Sequence, residues 1–277
     1  MRTRHFVILL AGIPLASSGQ AAEKYCESSP AVREELKQLD LKARKVTGAN
    51  RLEALKRLAE EAVARHPDDF FVHLRSQQLV RSRKQRERQA LIDRYKALAD
   101  QHPKDPKYAV LYARALLGAN TPLAIEVLKK AAAGEADPQV HLALADVYSY
   151  GKFADRAQTR AQLDAYFAAC PASLDDRALS LLTRYGAPET IAKQAAALRE
   201  RLTTETDPDL LRSWEHAWNL EFKARPVQEH EALRKQIAAD LERLETISTS
   251  KDDRWAGFLV SGYRMAGEPE ALRHAED

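Results

Sequence analysis

The chain has 277 residues, of which 45% are hydrophobic and 30% charged, the proportions of a soluble globular protein able to bury a core. Its 43 basic and 40 acidic residues leave a formal net charge of +3. That balance argues against a dedicated nucleic-acid binder, which needs a concentrated basic face. Ala, Leu, Glu, Lys and Arg dominate and glycine is scarce, which favours helices because such side chains lose little rotamer freedom in one.

The chain opens with a basic start, MRTRH, an apolar run, FVILLAGIPLA, and small residues, SSGQAA. These are the three parts of a secretory signal peptide, with cleavage expected near Ala21 or Ala22. The apolar run is too short to span a bilayer, and no later stretch is long and apolar enough to do so. Residues 1–22 are therefore expected to direct export to a bacterial periplasm, leaving residues 23–277 as the mature chain.

From there the sequence reads as helices in pairs. Segments 32–46 and 51–66 form the first pair, 70–80 and 88–102 the second, 107–117 and 122–133 the third. The fourth is 139–150 with 153–170, the fifth 174–185 with 188–202, the sixth 208–222 with 229–247. Segments 253–267 and 268–276 begin a seventh. Pro122 and Pro188 stand at helix starts, where a missing N–H costs nothing. Prolines that interrupt the pattern recur at Pro67, Pro103, Pro138, Pro171 and Pro208, spaced by 36, 35, 33 and 37 residues. Each reads as a helix stop, often with an Asp nearby to cap the next helix. A period near 34 is that of a two-helix repeat. In the fourth pair Leu144, Ala145 and Tyr148 supply a large, a small and an aromatic residue on one face, and in the third Ala124 and Ala131 permit close crossing. No such unit buries its apolar stripe alone, so neighbours must stack.

The period, with LIDRYKALADQHPKDPKYAVLYARALLG, HLALADVYSYGKFADRA and YFAACPAS, makes the chain resemble tetratricopeptide (TPR)-like helical repeat proteins over roughly residues 50 to 270. More narrowly it resembles the N-terminal helical region of exported bacterial TlpA/redoxin-type thioredoxin-fold proteins. The third and fourth units approach the repeat pattern; the third carries extra length at GANTPLA, and the fourth has Asp164 where a small residue is usual. The resemblance implies an all-α fold, a right-handed α-solenoid of about seven helical hairpins. The W-C-x-x-C of a thioredoxin domain is absent from these residues. The chain ends in the middle of a helical pattern without a capping Gly or Pro, so the expectation is a solenoid truncated at its C-terminus.

Chemistry is sparse. The basic stretch RSRKQRER at 81–88 reads as a solvated helix start. Trp214, Trp218 and Phe222 are spaced four apart and read as a core seam, as do Trp255, Phe258 and Leu259. His66 and His102 precede repeat prolines, which suits helix C-termini. His216 and His230 read as exposed single histidines without metal-ligand spacing. The acidic pairs Asp68-Asp69, Asp175-Asp176 and Asp252-Asp253 sit at helix starts, where they complement the helix dipole. No nucleophile elbow, phosphate loop or zinc motif is present, so no catalytic residue, metal or cofactor is expected. Two cysteines, Cys26 and Cys170, follow the signal peptide. An oxidising compartment permits a disulfide between them, and Cys170 equally suits a small buried apolar position.

The functional expectation is a binding one. With Leu144, Ala145 and Tyr148 turned inward, Gln139, Leu142, Asp146 and Ser149 fall on the groove side of the fourth unit. They form a candidate surface for a protein or peptide partner, as helical-repeat faces commonly do. The resemblance implies the accessory module of a thiol-redox protein whose catalytic domain lies elsewhere. The alternatives are the helical superhelix of an exported cell-wall enzyme such as a lytic transglycosylase, or a stand-alone envelope adaptor.

Overall fold

The structure, a computed structural model, describes residues 26–48, 50–80, 85–134, 137–204, 210–247 and 253–267. The expected signal peptide, residues 81–84 of the basic stretch and segment 268–276 lie outside the described residues. Among those residues there are 13 α-helices and no strand. In chain order they are α1 (Pro30–Lys45), α2 (Arg51–Arg65), α3 (Phe70–Leu79), α4 (Gln85–Gln101), α5 (Pro106–Leu116), α6 (Thr121–Ala132) and α7 (Pro138–Tyr148). Then follow α8 (Arg156–Ala169), α9 (Asp176–Tyr185), α10 (Pro188–Thr204), α11 (Leu211–Ala224), α12 (His230–Ile247) and α13 (Asp253–Ala266).

Five helix starts are capped by aspartate. The side chains of Asp69, Asp105, Asp137, Asp155 and Asp175 each accept a backbone N–H from the first turn of α3, α5, α7, α8 and α9. Each cap satisfies a donor that has no partner within the helix and contributes about 1 kcal/mol. At Pro138 the structure corrects the sequence reading. The proline opens α7 instead of closing the helix before it, with Asp137 as its cap, because a proline ring at the first helical position forfeits no bond. At the other ends, His66 caps α2 and His102 follows α4, its ring stacked on Tyr108 at 4.6 Å.

Packing follows a regular rule. Each odd-numbered helix packs on the next odd-numbered one, from α1 on α3 to α11 on α13. The even-numbered helices lie against them, most extensively α6 on α5, α8 on α7, α10 on α11 and α12 on α13. Three apolar clusters result: a small one around Val32, Leu39, Ala62 and Val72, a middle one from Phe70 to Val147, and a large one from Leu142 to Ala266. Helix α7 divides the last two. Val140, Ala143, Leu144 and Val147 serve the middle cluster, whereas Leu142 and Ala145 serve the C-terminal one. Nine of its 11 residues are buried, as expected of a helix covered on all sides.

The tryptophans form the expected seam. Trp214 and Trp218 are buried, and Trp218 stacks on Phe258 at 5.5 Å between ring centres. Beside them lies a charged knot between three helices. Arg199 of α10 forks onto Glu221 of α11, with Nε to Oε1 at 2.8 Å and Nη2 to Oε2 at 2.5 Å. Its Nη1 donates to Asp240 of α12, which also accepts the Trp218 indole N–H at 3.0 Å. The Arg199 guanidinium lies 5.5 Å and that of Arg243 5.4 Å from the Trp214 ring centre, within cation–π range. Burial works against the Arg199 charge, but its bonds to Glu221 and Asp240 outweigh this and hold its pKa above the usual value.

A second buried group sits between α3 and α4. His73 Nε2 lies 2.7 Å from the Pro67 carbonyl and Nδ1 3.2 Å from the Tyr95 hydroxyl. A carbonyl only accepts, so Nε2 carries the proton and Nδ1 accepts from Tyr95. Burial lowers the His73 pKa and pushes Tyr95 up to about 12.

Finally, the chain is closed on itself. Cys26 and Cys170 are joined by a disulfide across 144 residues, with their Cα atoms 5.5 Å apart. Beside the bridge, Glu27 receives both Arg201 Nη atoms at 2.5 and 2.9 Å and the Leu174 N–H at 3.2 Å. Burial alone would raise the Glu27 carboxyl, but the Arg201 fork more than offsets that and holds it low. The loop taking the clip includes Ala172 at φ 56°. Its N–H donates to Gln194 and its carbonyl accepts from Arg201, both at 2.9 Å. Leu174, two residues before α9, donates to Glu27, three residues before α1, so the starts of α1 and α9 lie within about 27 Å of each other. Five parallel helices spaced 8–10 Å apart would set α1 and α9 roughly 32–40 Å from each other. The row of odd-numbered helices is therefore not straight.

Candidate functional site

The odd-numbered row is crossed by charged pairs between successive helices. Arg75 of α3 meets Asp40 of α1 at 2.6 Å, and Arg177 of α9 meets Asp146 of α7 at 2.6 Å. Asp176 of α9 accepts from His216 at 2.8 Å and from Arg212 at 3.2 Å, both of α11. The His216 bond, helped by the charge of Arg212, holds the Asp176 carboxyl below the ordinary carboxylate range. His216 is thus engaged in the row, and His230 lies against the carbonyls of Phe222 and Arg225 at 3.0 and 3.2 Å. Both are half-buried, not the exposed single histidines the sequence suggested.

A cavity of about 530 Å³ interrupts this row between α3, α4, α5 and α7. Helix α3 contributes Leu74, Gln77 and Gln78, α4 contributes Glu87, Arg88 and Leu91, and α5 contributes Arg114 and Ala115. Asp146 of α7 and Tyr150, just beyond it, close one side. Gln77, Glu87 and Leu91 also line an adjoining cavity of about 290 Å³ that continues past Lys56 and Arg94. The lining mixes a few apolar side chains with amides, guanidiniums, carboxylates and a phenol, the make-up of a surface that reads main chain and polar side chains together. Tyr150 is 54% exposed, an aromatic rim residue with its ring in water.

The four residues expected on the groove side are not an open face. Gln139 and Leu142 are 3% exposed, Asp146 and Ser149 8%. Leu142 packs into the C-terminal core, and the Ser149 hydroxyl donates to the Asp146 carbonyl at 2.7 Å. The reason is that α7 is packed against α5, α6, α8 and α9, so turning Leu144 and Ala145 inward does not leave the opposite face free. Of the four, Asp146 alone reaches the cavity. What sequence reading missed was Arg114, one cation in the otherwise apolar run YAVLYARALL; a charge in such a run is the signal that would have pointed to the cavity. Among the described residues, no group of three or more His, Cys, Asp and Glu side chains could hold a metal ion, and no helix is long and apolar enough to cross a membrane.

Compared with protein-family models, with curated proteins and with solved structures, the chain matches none.

Proposed function

We propose that this chain is an exported helical-repeat scaffold, a TPR-like α-solenoid that binds an extended peptide or protein segment in the cavity between α3, α4, α5 and α7. The observation that carries the reading is that cavity, cut into a row of helices whose α1–α3, α7–α9 and α9–α11 crossings are closed by ion pairs. The repeated step from one odd-numbered helix to the next supports the solenoid part, since stacked hairpins offer a continuous face that a single helix pair does not. The disulfide supports export, because such bridges persist in oxidising compartments. In this reading the scaffold serves a partner domain or protein in the cell envelope, a thiol-redox domain among them.

Site-directed photo-cross-linking in the envelope tests the proposal. A photoreactive residue at Tyr150, on the cavity rim, is expected to capture one discrete partner. The same residue at Glu126, exposed on α6 away from the cavity, is expected to capture none. Equal capture at both positions, or none at Tyr150, would defeat the groove reading. Retention of the chain in the cytoplasm would defeat its envelope setting.

A further inference from the structure

We propose that Arg114 is a carboxylate receptor, so that the segment bound in the cavity is acidic; this rests on the groove reading above. The argument comes from a gap in the ladder of charged pairs. Between α1 and α3, α7 and α9, and α9 and α11, a cation on one helix meets a carboxylate on its neighbour. Between α3, α5 and α7 the ladder lacks its carboxylate. The Arg114 guanidinium lines the cavity there and makes no hydrogen bond or ion pair with any described residue.

Two neighbouring acceptors are already engaged. Asp146 is bound by Arg177, and the Gln78 carbonyl oxygen accepts from Arg75 at 2.7 Å. Glu87 lies 4.0 Å from Lys56. The buried Asp175 feels the charge of Arg114, but its carboxylate accepts the Ala178 N–H at 2.8 Å as the cap of α9. Arg88 adds a second guanidinium to the lining and donates through one nitrogen to the Gly118 carbonyl at 3.2 Å. A planar carboxylate entering this gap meets a guanidinium whose fork is unspent, in a recess where a charged hydrogen bond is stronger than at an open surface. The carboxylate can come from a Glu or Asp side chain or from a C-terminus. Either way the ligand supplies the partner that the α1–α3, α7–α9 and α9–α11 steps find within the chain.

The test is an array of random decapeptides probed with the mature chain and with Arg114→Gln. Half the array is anchored through the peptide N-terminus, leaving the terminal carboxylate free, and half through the C-terminus. The native chain is expected to retain peptides enriched in Asp and Glu. Replacing the critical Glu by Gln should weaken binding roughly tenfold, the worth of one charged hydrogen-bond pair. Arg114→Gln should bind both versions alike. Enrichment confined to free-C-terminus spots assigns the ligand group to a chain end; enrichment on both halves assigns it to side chains. If the native chain retains peptides regardless of acidity, or Arg114→Gln keeps the acidic preference, the inference fails while the groove reading stands. If no peptide is retained, both fail. Helical circular dichroism verifies that Arg114→Gln is folded; should it not be, Arg114→Lys, which keeps the charge and loses the fork, is expected to show a reduced acidic preference, and an undiminished one overturns the inference.

Discussion

Replacing Arg199 by Met tests the energetics of the charged knot. The substitution keeps an unbranched side chain over Trp214 but removes every cationic bond that Arg199 gives to Glu221 and Asp240. Both carboxylates stay buried, with side-chain exposures of 4% and 11%. Asp240 retains the Trp218 indole, and Glu221 retains only the more distant Arg225 guanidinium at 3.9 Å. Breaking a buried pair by removing one partner costs about 3–5 kcal/mol, and two stranded acids place Arg199→Met in that range. Replacing all three charged residues by apolar ones of similar volume should recover most of the loss, because the desolvation cost of the ions disappears with them. Urea unfolding followed by the helical dichroism band measures both. A single-variant loss below about 1 kcal/mol, the range of exposed pairs, would refute this reasoning. So would a triple variant no better than the single one.

Three further outcomes are expected. Cys26→Ser with Cys170→Ser opens a loop of 144 residues, for which the chain-entropy relation gives about 5 kcal/mol; unfolding midpoints that do not fall relative to the oxidised parent would contradict it. His73 is neutral in the fold with a pKa below its usual 6.5, so the unfolded chain binds more protons as pH falls through that value. Its contribution to stability is full above the unfolded pKa and is lost as pH falls toward the folded one, and His73→Gln should flatten a stability–pH curve measured between pH 7 and 5. At Gly186, in the tight turn between α9 and α10, an added Cβ would lie 2.7 Å from the Leu182 carbonyl oxygen. Gly186→Ala should therefore cost about 1–3 kcal/mol, and an unchanged melting temperature would show that the turn can shift.

The helices were legible because they depend on local chemistry; their pairing was legible only in part, since segment 188–202 packs on α11 and segment 229–247 on α13, not chiefly on the helices before them. Aspartate caps and apolar spacing sit within a few residues of one another, and the core seam at Trp214 and Trp218 follows from their four-residue interval. The site was less legible because burial is a property of neighbours. The pattern of Leu144, Ala145 and Tyr148 identifies one buried face of α7, but only the helices around it reveal that Gln139, Leu142, Asp146 and Ser149 are covered as well. The charged knot was invisible for the same reason. Arg199, Glu221 and Asp240 come from three helices, and each alone looks like a solvated helix charge. A local hint existed at Asp240, which follows Ile237 by three residues and precedes Leu241, inside the apolar stripe of α12.

The sulfur bridge also determines how the molecule would bear a load. Tension applied between the segment at Cys26 and the C-terminal helices passes through the disulfide to Cys170, bypassing the residues between. That shielded length is 144 residues, of order 500 Å if drawn out, and it includes the cavity between α3, α4, α5 and α7 with everything bound there. Only the part beyond Cys170 is placed in series with the pull. While oxidised, the chain would stretch as a short tether with its binding half held slack; once reduced, that half would join the line of force.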